Sequence, residues 1–406
     1  AHTRNLWQEF GAERMVDTPI SEQGFTAAAV GASATGARTV SDLMFADFAF
    51  ETAGQIFLQA AKLRYMTSGL MSAPMVVRVG AGALRSSGPH HSGIYHPVFA
   101  HMPGLIVCVP STPADAKGLM KTALRAGDPV IMLEPKALFA SKGEVPVGEH
   151  YVPFGVARIA RSGADITIVA AGQMVQRALE AAEGLAAEGI EAEVIDPRTI
   201  MPLDIDTIVA SVRKTHRLLI VDEAWAMCGL GGEIAQAINE LAFDELDAPP
   251  GRLHTAPTSH PFAPVLERAM LVDTARIVQS VRDVIAGQPP VPDHWYTVGL
   301  KSAAPAKPAS APAKPQPTAP ATSAPPAGDD EPITMPFGDL TVSEGTVIKW
   351  LKAVGDAVKE GELIAEIETD KAVVEIDAPV SGTLVAIDQP VGAVVPMGGR
   401  IGGIRK

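Results

Sequence analysis

Short apolar runs alternate with amphipathic stretches over most of the chain. Pro74–Val79, Leu105–Val109 and Pro129–Leu133 predict buried strands, and Pro113–Ala126 places Ala116, Leu119, Met120, Ala123 and Leu124 at helical spacing. The scheme recurs further on. Strands are expected at Ile166–Ala170, Ala192–Ile195 and Arg217–Val221, and helices at Val175–Ala187, Asp204–Lys214, Gly232–Ala242 and Thr274–Ile285. Apolar strands separated by helices predict parallel sheets covered on both faces. A break near Glu144–Pro153 divides this α/β region into domains 1–147 and 148–295, each of ordinary domain size.

The pattern then stops. Ten Ala and eight Pro fall between Ala303 and Gly328, so the stretch 300–332 has no apolar face to offset the entropy cost of ordering. It reads as a flexible linker. Pro-rich chain extends by ~3.1 Å per residue, a reach of roughly 80 Å when fully drawn out. Residues 333–406 are all β in texture and carry an internal repeat. Gly345-Thr346 returns as Gly382-Thr383, Val354-Gly355 as Val391-Gly392, Val358 as Val395 and Gly361 as Gly398. Twin halves of this kind close into a small flattened barrel. Between them, Glu368-Thr369-Asp370-Lys371-Ala372 predicts an exposed hairpin, where a long side chain projects clear of the barrel.

Composition narrows the function classes. The 406 residues are 47% hydrophobic with a net charge of -13, which disfavours nucleic acid, whose binding calls for clustered Lys and Arg. Cys108 and Cys228 form no paired motif, so neither a disulfide framework nor a zinc ribbon is signalled. No apolar signal core opens the sequence and no run is long enough to span a membrane; a cytoplasmic protein is expected. His90, His91, His96 and His101 crowd together. The spacing of five between 91, 96 and 101 turns successive side chains by roughly 140° on a helix, off any one face, which disfavours a zinc site.

The stretch Ile367-Glu368-Thr369-Asp370-Lys371-Ala372, followed by Ala378-Pro379-Val380-Ser381-Gly382, resembles the lipoyl domain of 2-oxo acid dehydrogenase complexes. The resemblance implies that Lys371 carries lipoic acid through an amide. Biotin carriers place Met on both sides of their lysine; Asp370 and Ala372 stand there here. Residues 1–290 resemble the beta subunit of the thiamine-diphosphate-dependent decarboxylase component of the same complexes. The resemblance lies in Asp17-Thr18-Pro19-Ile20-Ser21-Glu22-Gln23-Gly24-Phe25, Asp47-Phe48, His91-Ser92, His101-Met102-Pro103-Gly104-Leu105 and Ile195-Asp196-Pro197-Arg198-Thr199-Ile200-Met201-Pro202-Leu203-Asp204. It implies two transketolase-like domains, pyrimidine-binding and C-terminal, before the barrel.

That resemblance also implies roles. Glu22 would contact the pyrimidine ring of thiamine diphosphate and favour the tautomer that takes the thiazolium proton. Ile20 and Phe25 would hold it out of water, although Glu22 also suits a helix N-terminus capped by Ser21. Phe48 would line the pyrimidine pocket or be ordinary core. His91 would deliver a proton to sulfur as the acyl group moves. The family's Gln-His-Ser-Gln reads His90-His91-Ser92-Gly93 here, so either histidine could react. The magnesium and diphosphate motif is missing from the chain and would lie on an alpha subunit, giving an α2β2 assembly. A potassium ion held in some members would fall at Ala123, Leu124 and Asp128, although Ala126 replaces an expected Asp. Family members also carry a segment ahead of Leu6-Trp7, so the first domain is expected to lack its first helix and strand. No acyltransferase signature follows the linker, which leaves that step to a separate dihydrolipoyl acyltransferase, with dihydrolipoyl dehydrogenase completing the complex. The expected function is oxidative decarboxylation of a 2-oxo acid with reductive acylation of a lipoyl group. Leu133-Glu134-Pro135-Lys136 leans toward branched-chain substrates, with pyruvate and acetoin open. The alternatives are an inert α/β scaffold anchoring a carrier and a transketolase-like sugar enzyme.

Overall fold

The runs of Val, Ile and Leu that punctuate the first 290 residues become the buried centres of two sheets. A computed structural model of the chain describes Thr3 and residues 5–290, 330–335, 344–368, 373–396 and 398–406. The first sheet contains β1 (Thr39–Phe45), β2 (Met75–Ala81), β3 (Ile106–Cys108) and β4 (Val130–Pro135), all parallel, in the order β1-β2-β4-β3. The second contains β5 (Arg158–Arg161), β6 (Ile166–Ala170), β7 (Ala192–Asp196), β9 (Leu218–Trp225) and β10 (Gly251–Thr255), in the order β10-β9-β6-β7-β5. Its edge strand β5 runs antiparallel to β7.

One strand crosses between the two halves. β8 (Thr199–Met201) follows β7 in sequence but pairs antiparallel with β3, so it completes the first sheet. A single apolar cluster likewise runs through both halves, from Val77 and Leu133 to Ile195, Ile220 and Ile234. The described residues up to 290 accordingly belong to one compact unit. The start of helix Glu22–Ala34 was legible in the sequence, but its extent was not. Its Ala-rich run, with Gly24 and Gly31, builds almost no one-sided apolar face, and packing supplies what periodicity does not. No helix among the described residues is long and apolar enough to cross a membrane.

The second unit is a pair of four-stranded antiparallel sheets. One orders β11 (Glu331–Thr334), β18 (Arg400–Arg405), β16 (Gly382–Ile387) and β13 (Ala357–Val358); the other orders β15 (Val373–Asp377), β14 (Leu363–Glu368), β12 (Glu344–Trp350) and β17 (Val394–Pro396). Ile333, Val347, Ile364, Ile367, Leu384, Val395 and Ile404 are the core. The repeat is visible in the backbone: Gly355 and Gly392 have φ of 102° and 91°, and Gly361 and Gly398 have 78° and 75°. Gly345 and Gly382 open the two corresponding inner strands, where an added Cβ would lie 2.6 Å from Ile367 and 2.2 Å from the Arg405 carbonyl oxygen. Thus α/β sheets followed by a flattened all-β barrel is the observed architecture. Most of the Ala/Pro-rich stretch, and Lys371 with its three neighbours 369, 370 and 372, lie outside the described residues. The strands on either side of Lys371 pair antiparallel, with Glu368 opposite Val373.

Candidate active site

Parallel sheets present functional side chains beyond the carboxyl ends of their strands, and Phe48 and His91 meet there. Phe45 ends β1, and a 3-10 segment, Ala46–Thr52, carries Asp47 and Phe48 directly after it. The loop that follows β2 carries His91. The imidazole meets the Phe45 ring at 4.6 Å and the Phe48 ring at 5.4 Å, both edge to face, and the two phenyl rings lie 5.8 Å apart. Such pairs are stabilising beyond the area they bury. His91 and Phe48 are therefore in one aromatic cluster, whereas His90 is exposed. Helix Glu22–Ala34 packs against the Phe48 segment, with Glu22 in its first turn.

Two expectations about Glu22 need correction. Ile20 cannot shield it, because Ile20 stands 95% exposed. Ser21 occupies the cap position without a side-chain hydrogen bond. Glu22 itself is half-buried, Phe25 reaches the core, and among the described residues no hydrogen-bond partner engages the Glu22 carboxylate. A carboxyl without a partner, at the start of a helix that packs on the Phe48 segment, has the chemistry to engage a heteroaromatic ring with a basic nitrogen. Beside His91, the buried hydroxyl of Ser92 also has no partner.

The His91 loop is tied down by charged residues that sequence reading did not single out for this task. Asp47 accepts from the Gly93 N–H at 3.3 Å and from the Tyr95 hydroxyl at 2.8 Å. Burial, reinforced by Asp47, pushes the Tyr95 hydroxyl well above its usual range, so it stays a donor. Glu223 accepts from the Ala83 N–H at 2.7 Å, and Glu267 accepts from the Ser86 N–H and hydroxyl at 3.1 and 2.9 Å. Lys136 donates to the His91 carbonyl oxygen. Glu223 and Glu267 come from the second sheet's half of the unit, so that half braces the loop. The available signal was positional: Asp47 and Lys136 sit just beyond strand ends, flanked by Ala46 and Phe48 and by Pro135 and Ala137.

The other histidines part company. His96 is fully buried and its Nε2 donates to Asp222 Oδ2 at 3.1 Å, while His101 is exposed. Among the described residues no group of three or more His, Cys, Asp or Glu is placed to hold a metal. The expected potassium turn is already filled by cationic side chains. Arg38 donates to the carbonyls of Leu124 and Ala126 at 3.1 and 2.7 Å, and Arg64 donates to the Gly127 carbonyl at 2.9 Å and Asp128 Oδ1 at 2.5 Å. Two guanidinium groups thus bond the Leu124 carbonyl and the Asp128 carboxylate in the turn where potassium was expected on the carbonyls of Ala123, Leu124 and Asp128.

Comparison with known proteins agrees with this layout. Residues 1–142 match the transketolase pyrimidine binding domain, residues 155–277 the transketolase C-terminal domain, and residues 331–404 a domain described as biotin-requiring enzyme. The beta subunit of acetoin:2,6-dichlorophenolindophenol oxidoreductase from Cupriavidus necator is 45% identical over 285 residues, covering 70% of this chain and 84% of that protein. Its Bacillus subtilis counterpart is also 45% identical, over 71% and 84%. The pyruvate dehydrogenase E1 component subunit beta of Rhizobium meliloti is 44% identical, over 70% and 62%. A solved split-gene transketolase, an inactive beta4 tetramer, shares the fold with a TM-score of 0.58 at 24% identity, over 71% of this chain and 89% of that one.

Proposed function

The chain belongs to the family of E1 beta subunits of 2-oxo acid dehydrogenase complexes, and on that premise we propose that it forms the pyrimidine side of a thiamine diphosphate site and also carries the acyl group away on its own lipoyl lysine, Lys371. The convergence of His91, Phe48 and Phe45 beside the helix that begins at Glu22 carries this reading. Thiamine diphosphate supplies the nucleophilic carbon. Glu22 holds a proton at the pyrimidine nitrogen and fixes the ring's tautomer. Phe48 sets one wall of the ring's pocket and limits water there. His91, held edge-on by two rings, presents its imidazole where the dithiolane arrives and gives a proton to the departing sulfur.

An alpha subunit supplies magnesium and the diphosphate side. Ile20, Tyr65 and Leu70 are 95%, 92% and 88% exposed, large apolar groups that a partner would cover. Dihydrolipoyl acyltransferase and dihydrolipoyl dehydrogenase then take the acyl group and the electrons. The substrate is pyruvate, with acetoin as the second reading because two relatives at 45% identity are named for it. The branched-chain leaning of Leu133–Lys136 is not carried further, since the relatives described above are named for acetoin and pyruvate.

The deciding experiment reconstitutes the chain with its alpha subunit and follows cleavage of pyruvate and of acetoin with an artificial electron acceptor. Glu22→Gln lowers turnover of the true substrate by about 10²-fold or more, the usual cost of losing a placed proton-transfer group. Near-normal turnover in a folded Glu22→Gln assembly would make the scaffold reading the better account.

A further inference from the structure

Beneath the His91 loop lies a buried cation for which the reaction above gives no task. Lys136 follows β4 and is 6% exposed. Room for its stem comes from Gly80, where an added Cβ would lie 3.2 Å from the Lys136 side chain and 2.7 Å from the Met44 carbonyl oxygen. The ammonium touches His91 by two routes. It donates to the His91 carbonyl oxygen, and it lies 5.0 Å from the centre of the Phe45 ring, which in turn meets the imidazole at 4.6 Å and 89°. A cation on an aromatic face is attractive, more so when dry.

The three carboxylates that grip the loop backbone all act on this one ammonium. Burial lowers the Lys136 pKa, while Asp47, Glu223 and Glu267 each pull it upward. Each anion also holds a loop N–H, at Gly93, Ala83 and Ser86. Glu223 and Glu267 are buried and Asp47 is half-buried, and buried carboxylates are costly without a counter-charge. The cation and the three anions therefore hold the same loop at separate points, from residue 83 to residue 93.

We propose that Lys136 is the positioning residue for His91: it fixes the backbone and the Phe45 face that together aim the imidazole, and so it serves acyl transfer to the dithiolane. This rests on the reading of His91 as the proton donor to sulfur. Lys136 itself touches neither substrate nor cofactor.

The test uses the full chain assembled with its alpha subunit and two assays, artificial-acceptor turnover and reductive acylation of the lipoyl group. Lys136→Met keeps length and removes charge. It should reduce lipoyl acylation about 10- to 100-fold more than artificial-acceptor turnover, as expected for a reacting group displaced by a fraction of an ångström to an ångström. Combined with His91→Ala it should add little further loss, because both changes remove one interaction. Equal loss in the two assays, or full additivity, would overturn the proposal. His91→Ala alone separates the two questions. If it leaves lipoyl acylation intact, the His91 reading falls and the positioning role with it. If it blocks acylation and Lys136→Met does not, only the positioning role falls. Should Lys136→Met fail to assemble, Phe45→Leu takes its place. It keeps the ammonium and removes the ring between it and His91. A selective fall in acylation supports the proposal, and a proportionate fall in both assays overturns it.

Discussion

Buried charges decide much of the behaviour of single residues here. Asp222 is enclosed between His96 and His254. Its burial alone would raise its pKa, but His96, His254 and the Ala224 N–H outweigh that and bring it to about 2. An unfolded Asp titrates near ~3.9, so the pair's contribution is fully present above that pH and is lost as pH falls through about 2. Asp222→Ala should cost about 3 kcal/mol at neutral pH, the scale for stranding one member of a buried pair. Thermal melts from pH 7 down to pH 2 should show the gap between wild type and variant narrowing only in the acid range; a gap independent of pH would contradict the assignment. At this scale the sequence showed the residues proposed for the site better than their supports. Glu22, Phe48 and His91 stood in recognisable strings. Asp47, Lys136, Glu223 and Glu267 are brought together from distant segments, and no local spacing reports a contact of that kind.

Elements with strong periodicity were legible. Thr274–Ile285 and Ile166–Ala170 have the expected bounds, and most other strands and helices differ from expectation by only a few residues. Those without it were missed. Gly251–Thr255 is a strand although Arg252 and His254 interrupt its apolar pattern, because parallel pairing with β9 and burial of Leu253 override local composition. The turn around Asp128 shows a second kind of override, with Arg38 and Arg64 supplied from remote elements. Exchange of potassium for sodium should therefore leave the melting temperature unchanged, whereas Arg38→Ala, which leaves the exposed Leu124 and Ala126 carbonyls to water alone, should lower it by a few degrees at most. Stabilisation by potassium alone would restore the ion to this turn. In the barrel, Gly382→Ala forces a methyl onto the Arg405 carbonyl oxygen at 2.2 Å. It should abolish ligase-dependent lipoyl incorporation by unfolding the acceptor, and the measured mass of the purified chain checks this.

At the scale of the whole molecule, two compact units joined by a stretch of Ala and Pro match the reading of an enzyme half and a carrier half. Mass spectrometry should find a lipoyl adduct at Lys371 and at no other lysine; biotin there would refute the carrier assignment. The purified chain alone should turn over no substrate with thiamine diphosphate and magnesium, and should gain activity on addition of its alpha subunit. Turnover without that subunit would show that this chain holds the diphosphate unaided. How the α/β half divides was the part least visible in the sequence, because Thr199–Met201 leaves its own neighbourhood to close the first sheet. That crossing sets a schedule for synthesis. When β4 has left the ribosome, β3 still has a bare edge, and it stays bare until residue 201 is clear of the exit tunnel. For that interval the nascent sheet offers unpaired backbone to any neighbouring strand. Polysome crowding and scarcity of chaperones should therefore lower the yield of this protein far more than any fault in the finished fold, and chains released before residue 199 should be found in the aggregate rather than as a soluble first domain.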